Sequence, residues 1–583
     1  MEQEARNGVY VCHCGVNIAA TVDVEQAAEA ARRLPGVVVA RDYTYMCSDP
    51  GQELIKRDIR EYGLNRVVVA SCSPRMHEPT FRAAAQQEGL NPYQIEMANI
   101  REQCSWVHKD RTEATEKAKL LIASAVAKAN RLEALEERAV DVTPGVLVIG
   151  GGVAGMAAAL DVADAGFPVY LVEQDDRLGG RVSDLNCTFP TLESAGELSD
   201  SLIEQVEEHV GITVFLNSRV SRVDGYVGNF QVEVAPRGGL GERTNGCRAF
   251  DVQSLTSGLE VGSIVVATGY DLFNADRKPE LGYRDYANVI TSLEMEERLT
   301  QGDLTVAGRT PGRVVFIQCV GSRDIQLGNP HCSRVCCMYT AKQSRLVREM
   351  LPDAAVTVFY IDVRTFGKGA EEFYDEAREH GVRYRRGNVS EIYRRRGDGG
   401  DRVVLVAEDT LLGQPIELEA DLVVLAVGME AREDAGDISQ LLKLPRSADG
   451  FFLEAHPKLR PVDTAMQGIF LAGCCQGPKD IPDTIAQAKA AASSALIPLI
   501  RGLVPVESAT AVVDEELCAG CGMCVEVCPY DAPALDTLWG VSRINAVLCE
   551  GCGACAITCP STAIQLQHYT AQQVLAQVDA LVE

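Results

Sequence analysis

The chain has 583 residues, room for about four domains, with an ordinary globular balance of 46% hydrophobic and 23% charged residues. A net charge of −27 argues against nucleic acid and against anionic membrane surfaces as partners, and suits solubility or docking to a basic partner. The outlier is its 21 cysteines: with no apolar leader at the N-terminus and no apolar run long enough for a membrane span, a cytoplasmic location is expected, where thiols serve as metal ligands or catalysts rather than disulfides.

Residues 1–140 read as a small parallel α/β domain. Gly8–Gly15, GVYVCHCG, is a strand running into a cysteine loop. Val24–Arg33 is helical, Gly36–Ala40 is a strand, a helix covers Gln52–Tyr62, and Arg66–Arg75, RVVVASCSPR, is a strand and loop. Cys14 and Cys72 each stand past the carboxyl end of a strand, the edge where open α/β sheets bind ligands. With Cys47 in YMCS and Cys104 in QCSWVH they make a candidate set for one [4Fe-4S] cluster. Buried free thiols are an equal alternative, and whether Cys12 replaces Cys14 stays open. A long helical stretch, Thr112–Glu137, follows.

Residues 141–295 begin with VLVI, Val146–Ile149, which reads as a buried parallel strand. G-x-G-x-x-G follows at Gly150, Gly152 and Gly155, then an apolar helix and a second strand ending in Glu173. Gly150 permits the turn, Gly152 lets backbone approach a pyrophosphate, Gly155 lets helix pack on strand, and Glu173 suits a ribose hydroxyl. The second glycine turn at Gly179, Gly180 and Arg181, and the strand end at Ala267, Thr268 and Gly269, resemble the two-dinucleotide-binding-domain flavoproteins, which hold FAD. Between them lie a helix over Leu192–Val210, strands at Ile212–Phe215 and Phe230–Val234, and a surface loop at Pro236–Gly246.

Residues 296–455 have the order of a second nucleotide domain: a strand at Arg313, helix Tyr339–Leu351, strand Ala355–Asp362, helix Ala370–His380, strand Val382–Arg385 and a return strand in Asp421–Met429. The phosphate loop is degenerate. After VVFI the chain reads QCVGSR, Gln318–Arg323, with one glycine and a cysteine. Cys319 joins Cys332, Cys336 and Cys337, four thiolates that suit a [4Fe-4S] cluster or, alternatively, contain a redox-active dithiol. Residues 456–505 close the FAD domain. There Gly473 precedes Cys474, where flavoproteins of this class carry an aspartate on the ribityl chain. The helix after Ile481–Thr484 should aim its N-terminus at the flavin. Lys479 is a candidate near the ring or a solvated surface lysine, and Cys474 and Cys475 read as packing residues rather than ligands.

Residues 506–583 carry C-x2-C-x2-C-x3-C-P twice, the two-cluster bacterial ferredoxin pattern of an α+β domain. One cluster takes Cys518, Cys521, Cys524 and Cys559; the other takes Cys549, Cys552, Cys555 and Cys528.

Taken together, VCHCG, YMCS, SCSPR, QCSWVH, GGGVAG, the Cys319 set, CCQGPKD and the ferredoxin tail resemble the A subunit of heterodisulfide reductase over nearly the whole chain. The resemblance implies a thioredoxin-reductase-like core of two Rossmann-like domains. It implies [4Fe-4S] clusters at both irregular cysteine sets, and flavin-based electron bifurcation or confurcation within a complex. Expected partners are B- and C-like subunits, a hydrogenase-, formate- or NADH-linked input subunit, ferredoxin, and a second copy of the chain. Fuller methanogen members carry a further ferredoxin insertion in the core. Residues 182–318 here hold only Cys187 and Cys247, so that insertion is missing. The rival reading is a stand-alone NAD(P)H-dependent disulfide reductase using Cys332 with Cys336 or Cys337.

Overall fold

The computed structural model describes residues 4–237, 258–395 and 402–582. It divides into two compact units, Val140–Val504 on the one hand and Met1–Ala139 with Pro505–Glu583 on the other. Beyond Arg237, the expected loop at Pro236–Gly246 lies outside the described residues, as does Cys247.

Unit Val140–Val504 is one plan used twice. Its first sheet has five parallel strands in the order Ile469–Leu471, Ser263–Val266, Val146–Ile149, Val169–Val172, Ile212–Phe215. Its second runs Val289–Thr291, Leu422–Val427, Arg313–Val320, Ala355–Tyr360, Arg383–Arg386, again all parallel. Each is accompanied by a three-stranded antiparallel meander, built from Ser218–Tyr226, Asn229–Pro236 and Leu259–Val261 in one case and Val389–Arg395, Arg402–Asp409 and Gln414–Ala420 in the other. The central strands are apolar throughout because both faces are covered: Val146, Leu147 and Val148 are fully buried, and so are Val314 and Phe316. Such a sheet opens a crevice at its carboxyl edge where the strand order reverses.

In the other unit a four-stranded parallel sheet runs Val37–Tyr43, Asn7–Cys12, Arg66–Ser71, Ile95–Asn99. The fourth strand and the helix Pro74–Gln86 before it go beyond the βαβαβ reading. The expected helix Thr112–Glu137 is Arg111–Ala129. It stops where the Asn130 side chain donates to Pro35 O at 3.1 Å and accepts from Asn7 Nδ2 at 2.6 Å, long-range bonds that local propensity does not encode.

The tail folds as two pseudo-symmetric halves, with strand pairs Ala511–Val513/Ile564–Leu566 and Pro533–Asp536/Val541–Ile544 and short helices Met523–Val527 and Ala554–Thr558. It is attached to the N-terminal sheet domain. The last helix, Ala571–Val582, lies on Arg111–Ala129, where Ser124 Oγ donates to Gln577 O at 3.2 Å and Gln573 Nε2 donates to Arg131 O at 3.0 Å. Beneath it Lys128, fully buried, pairs with Glu96 at 2.7 Å and sits 3.8 Å over the Tyr569 ring.

Candidate functional site

The first sheet's carboxyl edge opens into a cleft of about 400 Å³, within the roughly 300–1,000 Å³ usual for small-molecule sites. Gly150, Gly152, Glu173, Gly179, Gly180, Arg181, Ala267, Thr268, Gly269 and Lys479 all line it; Gly155 and Gly473 stand behind its wall. The glycine loop is shaped for a dinucleotide. Gly150 has φ +108°, and a Cβ there would lie 2.4 Å from Ala267 O. A Cβ on Gly152 would meet nothing within 4 Å, so the backbone faces open space. A Cβ on Gly155 would lie 1.8 Å from Gly150 O, so only glycine lets the helix Val153–Asp164 seat against the turn. Gly152 caps that helix with no side-chain bond, which leaves its N-terminal N–H groups for an anion. Gly179 N donates to Gly151 O at 2.9 Å and clasps the second turn to the first.

Glu173, nearly buried, accepts from Gly151 N at 2.6 Å and from Asp175 N at 2.9 Å. Its carboxylate holds the loop in shape and keeps lone pairs for a ribose hydroxyl. Lys479 is not a surface lysine. It is 8% exposed, and its ammonium donates to Gly473 O (2.9 Å), Gln476 Oε1 (3.1 Å) and Gly477 O (2.7 Å). All three of its donors are engaged, so it ties the Gly473–Gly477 turn, and burial lowers its pKa. Cys474 Sγ stays beside Lys479 O at 3.5 Å, and Cys475 donates to Val266 O at 3.1 Å. The two remain packing thiols.

The sequence reading missed the opposite wall. Lys342 Nζ, buried, donates to Cys187 O at 2.6 Å and pairs with Glu296 at 2.8 Å, while Gln343 Nε2 donates to Ser292 O at 2.8 Å and to Glu296 Oε1 at 2.5 Å. Lys342 and Glu296 lie 46 positions apart on two helices, so no local motif marks them.

Beside that wall lies the second thiolate set. Cys319, Cys332, Cys336 and Cys337 are close enough that charge on one opposes charge on the others. Burial pushes the Cys319 thiol up to about 12. Thiols so crowded keep their protons unless cationic metal takes them. Gln318 Nε2 is buried without a partner while its Oε1 stands 3.5 Å from Cys337 Sγ, and turning the amide over would aim an N–H at the sulfur. The donor set fits an iron–sulfur cluster. Tyr339, one turn along the helix Cys336–Met350, lines the cleft and donates to Val427 O at 2.8 Å, so one layer of side chains separates thiols from cleft. The lone glycine of the second sheet's loop, Gly321, is packed against Phe273, where a Cβ would fall 2.0 Å from the ring.

In the tail, Cys555 feels the charges of Cys549, Cys528 and Cys552, the crossed grouping that the repeat implies. Cys518 Sγ accepts from Ser542 N at 3.3 Å, and Cys524 Sγ donates to Ser542 Oγ at 3.2 Å, so these two thiols meet at one residue. Cys521 is exposed, and Cys559 packs in the same small core as Cys524 and Cys555. In the N-terminal domain Cys14, Cys47 and Cys72 come together, and Cys12 with them. Cys104 does not join: its Sγ donates to Ala114 O at 3.0 Å inside a separate apolar core. Among the described residues no three His, Cys, Asp or Glu side chains converge on a single metal ion; a cube binds each thiolate at a different iron, so its ligands stand further apart. Nor is any described helix long and apolar enough to cross a membrane.

A dinucleotide cleft beside buried thiolates, with a ferredoxin tail, defines an iron–sulfur flavoprotein oxidoreductase. Residues 145–246 match the family model of FAD dependent oxidoreductases, and 511–534 that of 4Fe-4S binding domains. The chain is 48% identical over 600 residues to the second iron-sulfur A subunit of CoB–CoM heterodisulfide reductase from Methanopyrus kandleri, with 91% of each chain covered. It is 44% identical over 648 residues to the A subunit of the H(2):CoB-CoM heterodisulfide,ferredoxin reductase of Methanothermobacter marburgensis, covering 99% of this chain and 97% of that one. It also aligns with thioredoxin reductase of T. acidophilum over 61% of its length, at 17% identity and a TM-score of 0.41. The chain belongs to the family of heterodisulfide reductase A subunits, and its role is that of an FAD- and iron–sulfur-containing electron-transfer subunit.

Proposed function

We propose that the protein is the flavin-bearing relay of a cytoplasmic heterodisulfide-reductase-like complex, coupling ferredoxin to a thiol/disulfide or related acceptor by electron bifurcation or confurcation. The observation that carries the reading is the thiolate set at Cys319, Cys332, Cys336 and Cys337, which stands one side-chain layer from the cleft where a pyridine-nucleotide enzyme would place its second phosphate loop. Bound in the cleft, FAD would exchange electrons in pairs or singly. The chain's own groups then have assigned tasks. Gly150–Gly155 and the N-terminus of Val153–Asp164 hold the pyrophosphate, and Glu173 the ribose. Lys479 fixes the turn before the helix Ile481–Arg501, whose N-terminus favours negative charge on the ring. Lys342, buried and paired with Glu296, braces the cleft wall. The C-terminal cysteines would carry low-potential electrons, and the remaining sets would lead towards B- and C-like subunits, a second copy of the chain and an input subunit.

The alignment to the Methanothermobacter relative spans 648 positions against 583 residues here, so that relative has residues that this chain lacks. This supports the reading that the extra ferredoxin insertion is missing and that low-potential electrons use the C-terminal clusters alone. Stopped-flow mixing with reduced ferredoxin or dithionite tests the relay: cluster bleaching and flavin reduction should proceed together. Flavin that stays oxidised while the clusters bleach would overturn it. Rapid flavin reduction by NAD(P)H alone would instead favour the stand-alone disulfide reductase, against which the degenerate loop Gln318–Arg323 stands.

A further inference from the structure

We propose that the fourth thiolate of the N-terminal set is Cys12, and that Cys104 is not a ligand. The inference rests on the reading of this set as a [4Fe-4S] site.

Topology brings three neighbouring strands to one edge. Cys12 ends the central strand Asn7–Cys12 and Cys14 follows it with φ 50°; Cys47 follows Val37–Tyr43 on one side, and Cys72 follows Arg66–Ser71 on the other. Cys104 comes after the outer strand Ile95–Asn99, in the turn Arg101–Ser105. The two faces of the sheet separate them further. Cys12 belongs to the core under the helices Asp49–Tyr62 and Pro74–Gln86, with Cys14 and Cys47 against it. Cys104 belongs to the core on the other face, with Ile100, Ala114 and Ala118; Cys14, past the strand end, touches both cores, while Cys12 and Cys47 belong to the first alone. Cys14 and Cys47 lie close enough to Cys12 for their charges to act on it, as do Cys12 and Cys14 on Cys72, whereas the charge that acts on Cys104 is that of Lys117 and not of another thiol.

Hydrogen bonding divides the two thiols in the same way. A cluster sulfur is negative and accepts N–H groups, which also tune its potential. Cys12 Sγ accepts from Cys14 N at 3.3 Å and Met46 N at 3.4 Å, and its own donation, to Thr44 O, is long at 3.9 Å. Each of the other three sets contains a thiol served likewise: Cys332 by Arg334 N at 3.4 Å, Cys518 by Ser542 N at 3.3 Å, Cys549 by Ala511 N at 3.4 Å. Cys104 has the opposite environment. Its Sγ lies 3.0 Å from Ala114 O, a contact that requires the S–H and would repel a thiolate. Arg101, whose Nη1 donates to Cys14 Sγ at 3.6 Å, supplies positive charge on the Cys12 side.

The test is metal and flavin analysis with electron paramagnetic resonance on anaerobically purified full-length chain. Four clusters correspond to about sixteen irons per chain. Cys104→Ala should keep the full count and the spectrum of the unaltered protein. Cys47→Ala and Cys12→Ser should lose about a quarter of the iron, or in the serine variant show a shifted signal from one cluster, with flavin and the other signals unchanged as the control for folding. Iron lost from Cys104→Ala but not from Cys12→Ser overturns the proposal and leaves the cluster in place. Full iron in Cys47→Ala as well removes the cluster itself, and the proposal with it. Should Cys12→Ser also lose its flavin through misfolding, Cys104→Ala decides: full iron supports the assignment, a missing cluster overturns it.

Discussion

Gly155 shows how little latitude one position can have. Its missing Cβ is the space that Gly150 O occupies, 1.8 Å away, and the contact is backbone on backbone, which no rotamer change relieves. Gly155→Ala must push the helix Val153–Asp164 off the turn, at a cost of roughly 1–3 kcal/mol or more. The expected outcome is a folded chain purified with little flavin, read as absorbance near the flavin band per mole of protein; full flavin occupancy would contradict the packing role. The three glycines and Glu173 were legible in the sequence because their spacing is set by one local turn. Lys342 and Glu296 were not, because a buried pair is defined by the packing of two helices and not by neighbours in the chain.

At the level of elements, the second sheet repeats the strand order of the first, yet the segment from Cys319 to Cys337 no longer cradles a phosphate. Strand and helix bounds there followed from apolar runs to within a few residues; the helix expected from Tyr339 starts at Cys336, which places two thiols at its N-terminus, where the dipole favours thiolate. Burial acts in the opposite sense, raising the Cys337 thiol, and metal is what resolves the conflict. Cys336→Ala is therefore expected to lose about four irons per chain while retaining FAD, measured by metal analysis beside flavin release. Unchanged iron would return the set to a plain dithiol. In the N-terminal domain the strand Ile95–Asn99 escaped notice because IEMAN has no run of β-branched residues; it is held by pairing with Arg66–Ser71.

On the scale of the whole chain, the tail and the N-terminal domain, far apart in sequence, share one compact unit. Their joint contains a buried titratable group. His568 is 5% exposed, and burial, then Lys128 and Arg82, push its pKa down to about 3. It faces Glu96 at 3.7 Å, Tyr93 and Tyr569, with Glu96 committed to Lys128. A depressed histidine contributes stability that is present above its free value of about 6.5 and is lost as pH falls towards 3, which amounts to about 2 kcal/mol by pH 5. Burial raises the carboxyl of Glu96, whose proton uptake opposes this at the acid end. Hydrogen-exchange protection factors in Arg111–Ala129 and Ala571–Val582, which take out the pH dependence of the intrinsic exchange rate, should therefore fall between pH 6.5 and 5. His568→Gln should flatten that dependence, and an unchanged slope in the variant would remove the histidine from the account.

Local periodicity and short cysteine spacing were enough to specify the dinucleotide loop, the succession of strands and helices in both nucleotide-type domains and the ferredoxin repeat, because each of these signals lies within a few turns of chain. Which thiols meet in the N-terminal domain, the strand order of both sheets, the buried Lys342–Glu296 pair and where the tail attaches were left to packing. Those outcomes depend on which face of a sheet a side chain enters and on which buried polar group finds a partner, and both are settled only when distant segments close on each other.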